Sequence, residues 1–189
     1  VFGRPDVAAK GELFVIAAGA ADAITTATPI LDAIGQKTFI VSESPSAANL
    51  VKLSGNFLVA TVIESLGEAM ALVGKGGIDL RQYVEVLTST LFDAPVYKTY
   101  GSLVAERKFE PAGFAASLGH KDLRLALEAG EDLRVPLPIA SLLRDRFLTL
   151  AAHGNDNLDW SAIGELAALD SGEEAKPFRV APRPAADAA

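Results

Sequence analysis

The 189-residue sequence contains no cysteine. That absence excludes disulfides, thiolate metal sites and a cysteine nucleophile together. It fits a reducing compartment without requiring one. Histidine is scarce, with two in the chain. His120 and His153 lie far apart, and neither has a His-x-x-x-His or His/Asp cluster beside it, so no metal site is supported. Positive charge is in deficit: 17 Lys and Arg stand against 24 Asp and Glu, a formal net charge of −7. No basic stripe is present to meet phosphates, which argues against a nucleic-acid partner.

Other signals are missing too. The opening VFGRPDVAAKGELFVIAAG lacks a basic start followed by an unbroken apolar region and a cleavage site. The longest apolar tract, Phe57 to Val73, carries Glu64 and Glu68, which makes a membrane span a poor reading. A soluble, cytoplasmic protein with no membrane partner is expected. No Gly-x-Ser-x-Gly surrounds Ser42, Ser44, Ser46 or Ser54, so an esterase elbow is absent. No Gly-x-Gly-x-x-Gly turn occurs anywhere in the chain.

What is present is a core. Half of the residues are hydrophobic, and a chain of this size buries roughly 70% of its unfolded surface. Residues 1–44 have α/β character. Leu13 to Ala18 reads as a buried strand, Asp22 to Ile34 as a helix with Pro29 inside it and Gly35 as its C-cap, and Lys37 to Val41 as a second strand. Phe2 to Pro5 reads as a loop. Two strands and a helix bury too little to stand alone, so this part resembles the edge of a larger sheet. The abrupt opening suggests that natural sequence precedes Val1.

Residues 45–169 read as helical throughout. Ser46 is a candidate N-cap for a long helix to about Val73, stopped by Gly74, Gly76 and Gly77. Its apolar residues fall on more than one face, which predicts neighbours on several sides, a second subunit among the candidates. Further helices are predicted at Leu80–Thr88 behind an Asp79/Gln82 capping box, at Ala94–Glu106, at Ser117–Ala129 with Gly130 as C-cap, at Ile139–Ala152, and after Asp159 to about Leu169. Trp160 reads as a packing anchor. Residues 170–189 are rich in Pro and Ala and are expected to be a disordered tail. The fold class expected is mainly α: an all-helical domain on one long central helix, preceded by a small α/β remnant.

Two constellations can carry chemistry. Lys52 and Asn56 are four residues apart on the long helix and share a face. An ammonium beside a neutral amide suits a small anionic or carbonyl substrate. On spacing alone the blander reading is favoured, with Lys52 laying its stem along apolar surface and Asn56 facing solvent. The second is Gly119-His120-Lys121-Asp122-Leu123. It offers a cation for an anionic ligand beside an orienting acid. Alone it reads more readily as a solvated first turn whose acid complements the helix dipole.

Taken in order, these residues match a family. Val1-Phe2-Gly3 before a Leu-Phe-Val-Ile strand is followed by Ser46-Ala47-Ala48-Asn49-Leu50-Val51-Lys52-Leu53-x-x-Asn56. Then comes Phe114-x-x-x-Leu118-x-x-Lys121-Asp122-Leu123-x-Leu125-Ala126. The combination resembles the β-hydroxyacid dehydrogenases, which include 3-hydroxyisobutyrate dehydrogenase and the glyoxylate/succinic semialdehyde reductases, relatives of 6-phosphogluconate dehydrogenase.

The resemblance implies a chain made of the last strands of an NAD(P)-binding Rossmann domain and all of a helical domain. The main dinucleotide-binding motif would lie before Val1, so the chain by itself would bind NAD or NADP poorly and be inactive alone. It implies Lys52 as the catalytic residue that polarises the carbonyl and passes a proton to oxygen. Asn56 would hold the substrate, with Phe114 and Asp122 lining or ordering the site. Gly3 would belong to the loop that binds the substrate carboxylate, and Lys121 would face the cofactor. Where the family usually has Ser-Gly-Gly this chain has Phe2-Gly3-Arg4. Arg4 would supply a charge in place of the hydroxyl, or Phe2 would favour a bulkier, less polar substrate. Imine-reducing relatives usually lack the lysine, so its presence favours carbonyl or alcohol chemistry. A homodimer or tetramer through the helical domain is implied as well. The competing readings are a helical dimerisation module without chemistry and an imine-reductase-like relative with altered substrate.

Overall fold

The structure, a computed structural model, describes residues 1–172. The tail expected to be disordered falls almost wholly on residues 173–189 and lies outside them. The chain is mostly helical, with a small two-stranded parallel sheet.

The sheet comes first. Strands β1 (Leu13–Ala18) and β2 (Gly35–Ser42) pair in parallel, Val15 opposite Thr38 and Ala17 opposite Ile40. Parallel neighbours need a crossover, and helix α2 (Ala21–Ile34) supplies it. β1 reads from the sequence as a buried strand, and Leu13, Val15 and Ala17 are buried. The burial alternates along it: Phe14 is exposed, and its backbone pairs antiparallel with Phe2. No residue of α2 is buried.

Several boundaries differ from expectation. Gly35 is not a left-handed C-cap; it is extended and opens β2 directly. A Cβ there would lie 2.6 Å from Val15 Cγ2 and 2.8 Å from the Leu13 carbonyl, so the glycine admits a close strand contact. Residues Pro5–Ala8 form a single helical turn, α1, in place of a loop, with proline at its first position. Pro45, not Ser46, occupies the N-cap of the long helix, and no side chain caps that end.

Helix α3 (Ser46–Lys75) packs against every helix that follows it: α4 (Leu80–Thr88), α5 (Pro95–Ala105), α6 (Ala116–Asp132), α7 (Pro138–Ala152) and α8 (Gly164–Asp170). It also meets β1, β2 and the 3-10 turn Trp160–Ile163. The tightest approach is at Gly67, where a Cβ would collide with the backbone of Gly164. By length and mean hydropathy (1.6 over its best window) α3 is apolar enough to cross a membrane. Yet it buries Asn56 and Glu64 among helices, as a core helix does. The centre of the core is Ile63, Leu123, Leu143, Phe147, Leu150 and Ile163.

Helix α6 runs past Gly130 to Asp132, contrary to the expected C-cap, and Arg134 takes the left-handed conformation instead (φ 57°). Gly130 has another use. A Cβ there would lie 2.9 Å from both Leu137 Cδ1 and the Val135 carbonyl, so the connector folds back over it. Asp79 does cap α4, accepting from the Gln82 amide at 2.9 Å.

Candidate functional site

Helix periodicity puts Lys52 and Asn56 one turn apart on α3. Packing of α3 against α6 then brings a third residue to them. Asp122 lies in α6 and is 2% exposed. Its Oδ2 accepts from the Lys52 ammonium and, at 2.7 Å, from Asn56 Nδ2. Its Oδ1 faces Lys121 Nζ at 3.1 Å. A buried carboxylate is costly unless paired, and here three donors converge on one. Burial by itself would push the Asp122 carboxyl up; the hydrogen bonds from Lys52, Asn56 and Lys121 outweigh it and hold the carboxyl below its ordinary value.

The two lysines differ. The Lys52 side chain is 27% exposed and lies 5.9 Å from the centre of the Phe114 ring. The Lys121 side chain, 57% exposed, is the outer member of the group.

Phe114 is held by its backbone. Its carbonyl accepts from Trp160 N at 2.8 Å. Its amide and that of Gly113 donate to Asp159 Oδ2 at 3.2 and 2.9 Å. Asp159 was expected only as a helix cap. It does cap, accepting at Oδ1 from Ser161 N and Oγ, but it also anchors the Phe114 loop. Trp160 packs edge-on to Phe114 at 4.8 Å and to Tyr100 at 5.8 Å, donating to the Tyr100 hydroxyl. Burial pushes the Tyr100 phenol up.

Lys52, Asn56, Phe114, Lys121 and Asp122 therefore meet, from segments up to 70 residues apart. Gly3 does not touch this group itself. It is exposed, with φ 148°, and a Cβ would lie 2.5 Å from Leu13 Cδ2. Its neighbours reach across instead. The Phe2 ring lies on Gly55, so closely that a Cβ on Gly55 would overlap it. Arg4 Nη2 pairs with Asp159 Oδ2 at 3.3 Å, and the guanidinium packs on Gly113. Position within the chain does not reveal these long-range partners of Arg4.

The other sequence candidates resolve as structure. His120 stacks on Phe147 at 6.5 Å, with burial lowering its pKa. His153 Nδ1 lies 2.8 Å from the Thr149 carbonyl. Gly74 to Gly77 ends α3, Gly77 taking φ 81°. Among the described residues no group of three or more His, Asp or Glu is arranged to hold a metal.

The chain is thus mainly helical, with a Lys–Asn–Asp cluster placed after a parallel βαβ edge. Residues 46–167 match the family model described as NAD-binding of NADP-dependent 3-hydroxyisobutyrate dehydrogenase, and the chain belongs to that family. It is 44% identical over 163 residues to the uncharacterized oxidoreductase YfjR of Bacillus subtilis, covering 86% of this chain and 57% of that protein. It is 31% identical over 170 residues to the 3-sulfolactaldehyde reductase of Escherichia coli, covering 89% of this chain and 56% of that protein. Among solved structures it is similar to the 3-hydroxyisobutyrate dehydrogenase (ygbJ) of Salmonella typhimurium. That match has a TM-score of 0.79 and 30% identity, over 88% of this chain and 58% of that one. The chain thus spans a little over half the length of the relatives it matches.

Proposed function

We propose that the protein is an NAD(P)-dependent oxidoreductase. It acts on the CH–OH group of small hydroxy acids or reduces the matching aldehydes and 2-oxo acids, with Lys52 as proton donor and acceptor. The observation that carries this is the convergence of Lys52, Asn56 and Lys121 on the buried Asp122 carboxylate. Asp122 keeps the Lys52 ammonium and the Asn56 amide on one side of α3, aimed at one place. In reduction, Lys52 hydrogen-bonds the carbonyl oxygen, draws electron density from its carbon and passes a proton to that oxygen. The lysine, left as the neutral amine, regains a proton from water. Asn56 orients the substrate through its amide, and Phe114 shields the ammonium from solvent on one side.

The donor set suits a nicotinamide cofactor in part. The exposed Lys121 ammonium is chemically suited to a carbonyl or phosphate oxygen. The chain has no Gly-x-Gly-x-x-Gly turn to cradle a pyrophosphate. It therefore contributes the substrate side of the site and one cofactor contact. When bound, a nicotinamide would supply hydride chemistry at this place, giving hydride in reduction and accepting it in oxidation.

The working unit in this reading joins the α/β edge of residues 1–44 and the helical residues 45–169 to a dinucleotide-binding part, and it works in the cytoplasm. The helical part is also where two or four copies associate. Leu50, Val51, Leu58 and Leu72 on α3 remain exposed, which supports that surface. Analytical ultracentrifugation tests it, and a strictly monomeric protein rejects it.

The decisive experiment uses the whole natural protein with NADH and NADPH against a panel of small aldehydes and 2-oxo acids. Lys52→Met is expected to lower kcat by at least about a hundredfold, in keeping with the loss of a positioned general acid. A loss under about tenfold, equivalent to about 1.4 kcal/mol, rejects the role given to Lys52.

A further inference from the structure

We propose that Phe2 determines the substrate class of the Lys52 site. It presents an apolar wall beside the ammonium, so the favoured carbonyl substrates carry an alkyl or aryl group there in place of a carboxylate. The inference rests on the oxidoreductase reading for its reaction and redirects that reading's substrate range.

The argument begins with the backbone. Phe2 N donates to the Phe14 carbonyl at 2.9 Å, and Phe14 N donates to the Phe2 carbonyl at 3.0 Å. The pair fixes Phe2 against the sheet and leaves its ring to reach α3. There it lies on Gly55, one residue before Asn56 and three after Lys52. Residues three apart on a helix are surface neighbours, so the ring adjoins the Lys52 face. Gly55 is what permits the contact, because any side chain would displace the ring. Phe114 provides a second ring, 5.9 Å from Lys52 Nζ. Phe114 thus lies beside the ammonium, and the Phe2 ring lies on α3 one turn further along.

The charge carried by the Phe2 loop itself is committed elsewhere. Arg4, two residues along the same loop, pairs through Nη2 with Asp159, which is 1% exposed, while its Nη1 is buried without a hydrogen-bond partner and out of solvent's reach. Lys52 pairs with Asp122, which Lys121 also faces. A carboxylate arriving beside Phe2 would lose its water against a ring and gain no free cation from this loop, which is unfavourable. An alkyl or aryl group loses only water contacts there, which is favourable.

Arg4 and Asp159 hold the arrangement. The same carboxylate oxygen accepts from Arg4 and from the Gly113 and Phe114 amides, so one ion pair ties the Phe2 loop to the Phe114 loop.

The test compares the natural protein with Phe2→Ser, Phe2→Leu and Gly55→Ala. Two aldehydes, butanal and phenylacetaldehyde, are set against two acids, glyoxylate and succinic semialdehyde. Wild type is expected to have the higher kcat/KM on the uncharged pair. Phe2→Ser should move the ratio toward the acids by at least about tenfold, while Phe2→Leu keeps the wild-type preference. Gly55→Ala, which displaces the ring without removing it, should weaken use of the uncharged pair if Phe2→Ser fails to fold.

Ligand-observed NMR with 1-butanol and 4-hydroxybutanoate gives the same comparison without turnover. Tighter binding of the alcohol to wild type, lost in Phe2→Ser or Gly55→Ala, supports the wall. Wild-type preference for the acids overturns the proposal. So does a ratio that the Phe2 and Gly55 variants leave unchanged, or no binding of the alcohol. The two readings fail separately. Full turnover in Lys52→Met with a Phe2-dependent binding ratio rejects the catalytic reading alone. A dead Lys52→Met with an unresponsive ratio rejects the wall alone.

Discussion

Glu64 offers a test of the packing that supports the site. It lies on α3 two turns beyond Asn56, and its side chain is 7% exposed. Burial pushes its carboxyl up to about 7 from an ordinary 4.5. Arg146, with Nε 2.6 Å from Oε1, pulls the other way, while the carboxylates of Glu68 and Asp170 add to the rise. The other oxygen, Oε2, is buried without a hydrogen bond. A raised carboxyl pKa means that the folded state binds the proton more tightly than the unfolded chain. Below the ordinary value both states are protonated and the group is neutral toward stability. As pH rises from about 4.5 to about 7 the unfolded chain releases its proton first, so stability falls. Above that window the loss is complete. The difference of about 2.5 pH units corresponds to about 3 kcal/mol.

The perturbation is Glu64→Gln, which cannot titrate. The assay is urea unfolding followed by the fluorescence of Trp160, the one tryptophan in the chain, at a series of pH values from 4 to 8. Wild type should lose about 3 kcal/mol relative to Glu64→Gln across that range, most of it between about 4.5 and 7. A difference that stays constant within about 0.5 kcal/mol, or one that rises with pH, would refute the claim that burial outweighs Arg146.

Two further outcomes follow from contacts already described. Gly67→Ala should destabilise the fold by about 3 kcal/mol, because its methyl meets the Gly164 backbone, which has no rotamer with which to move aside; an unchanged melting temperature contradicts the close approach of α3 and α8. Asp122→Ala should cost about 3 kcal/mol or more, since it leaves Lys52 and Asn56 without their shared acceptor. Urea denaturation measures it, and a loss under about 0.5 kcal/mol removes Asp122 as the centre of the cluster.

Much of the site was legible because its spacing is local. Lys52 and Asn56 share a helix face by the geometry of the α-helix alone, and Lys121-Asp122 stand on one helix. That Asp122 joins these groups was not legible from spacing. The contact spans 66 to 70 residues and depends on how α3 and α6 pack. The order of motifs, read as a family resemblance, brought the groups together.

Two of the boundaries that differ, at Gly35 and Gly130, share a cause. Glycine most often marks a helix end, but Gly35 and Gly130 are used here to let a strand and a connector approach closely. At the second position the left-handed turn falls instead to Arg134, which no propensity singles out. Arg4 and Asp159 illustrate the same limit from the side of charge. They are 155 residues apart, and only the folded chain reveals that a loop cation and a helix cap are one ion pair.

The central claim is that an amine at position 52 delivers the proton. This chain contains no cysteine, so Lys52→Cys, made in natural protein whose remaining cysteines, if any, are replaced by serine, places a single thiol at the site, and alkylation with 2-bromoethylamine rebuilds an amine one atom different from lysine. The measurement is kcat for aldehyde reduction by the natural protein carrying Lys52→Cys, before and after alkylation. A loss of at least about a hundredfold, with at least about a tenth of wild-type activity recovered on alkylation, is the result predicted for a positioned general acid. Activity that survives the cysteine, or that alkylation fails to raise, contradicts it.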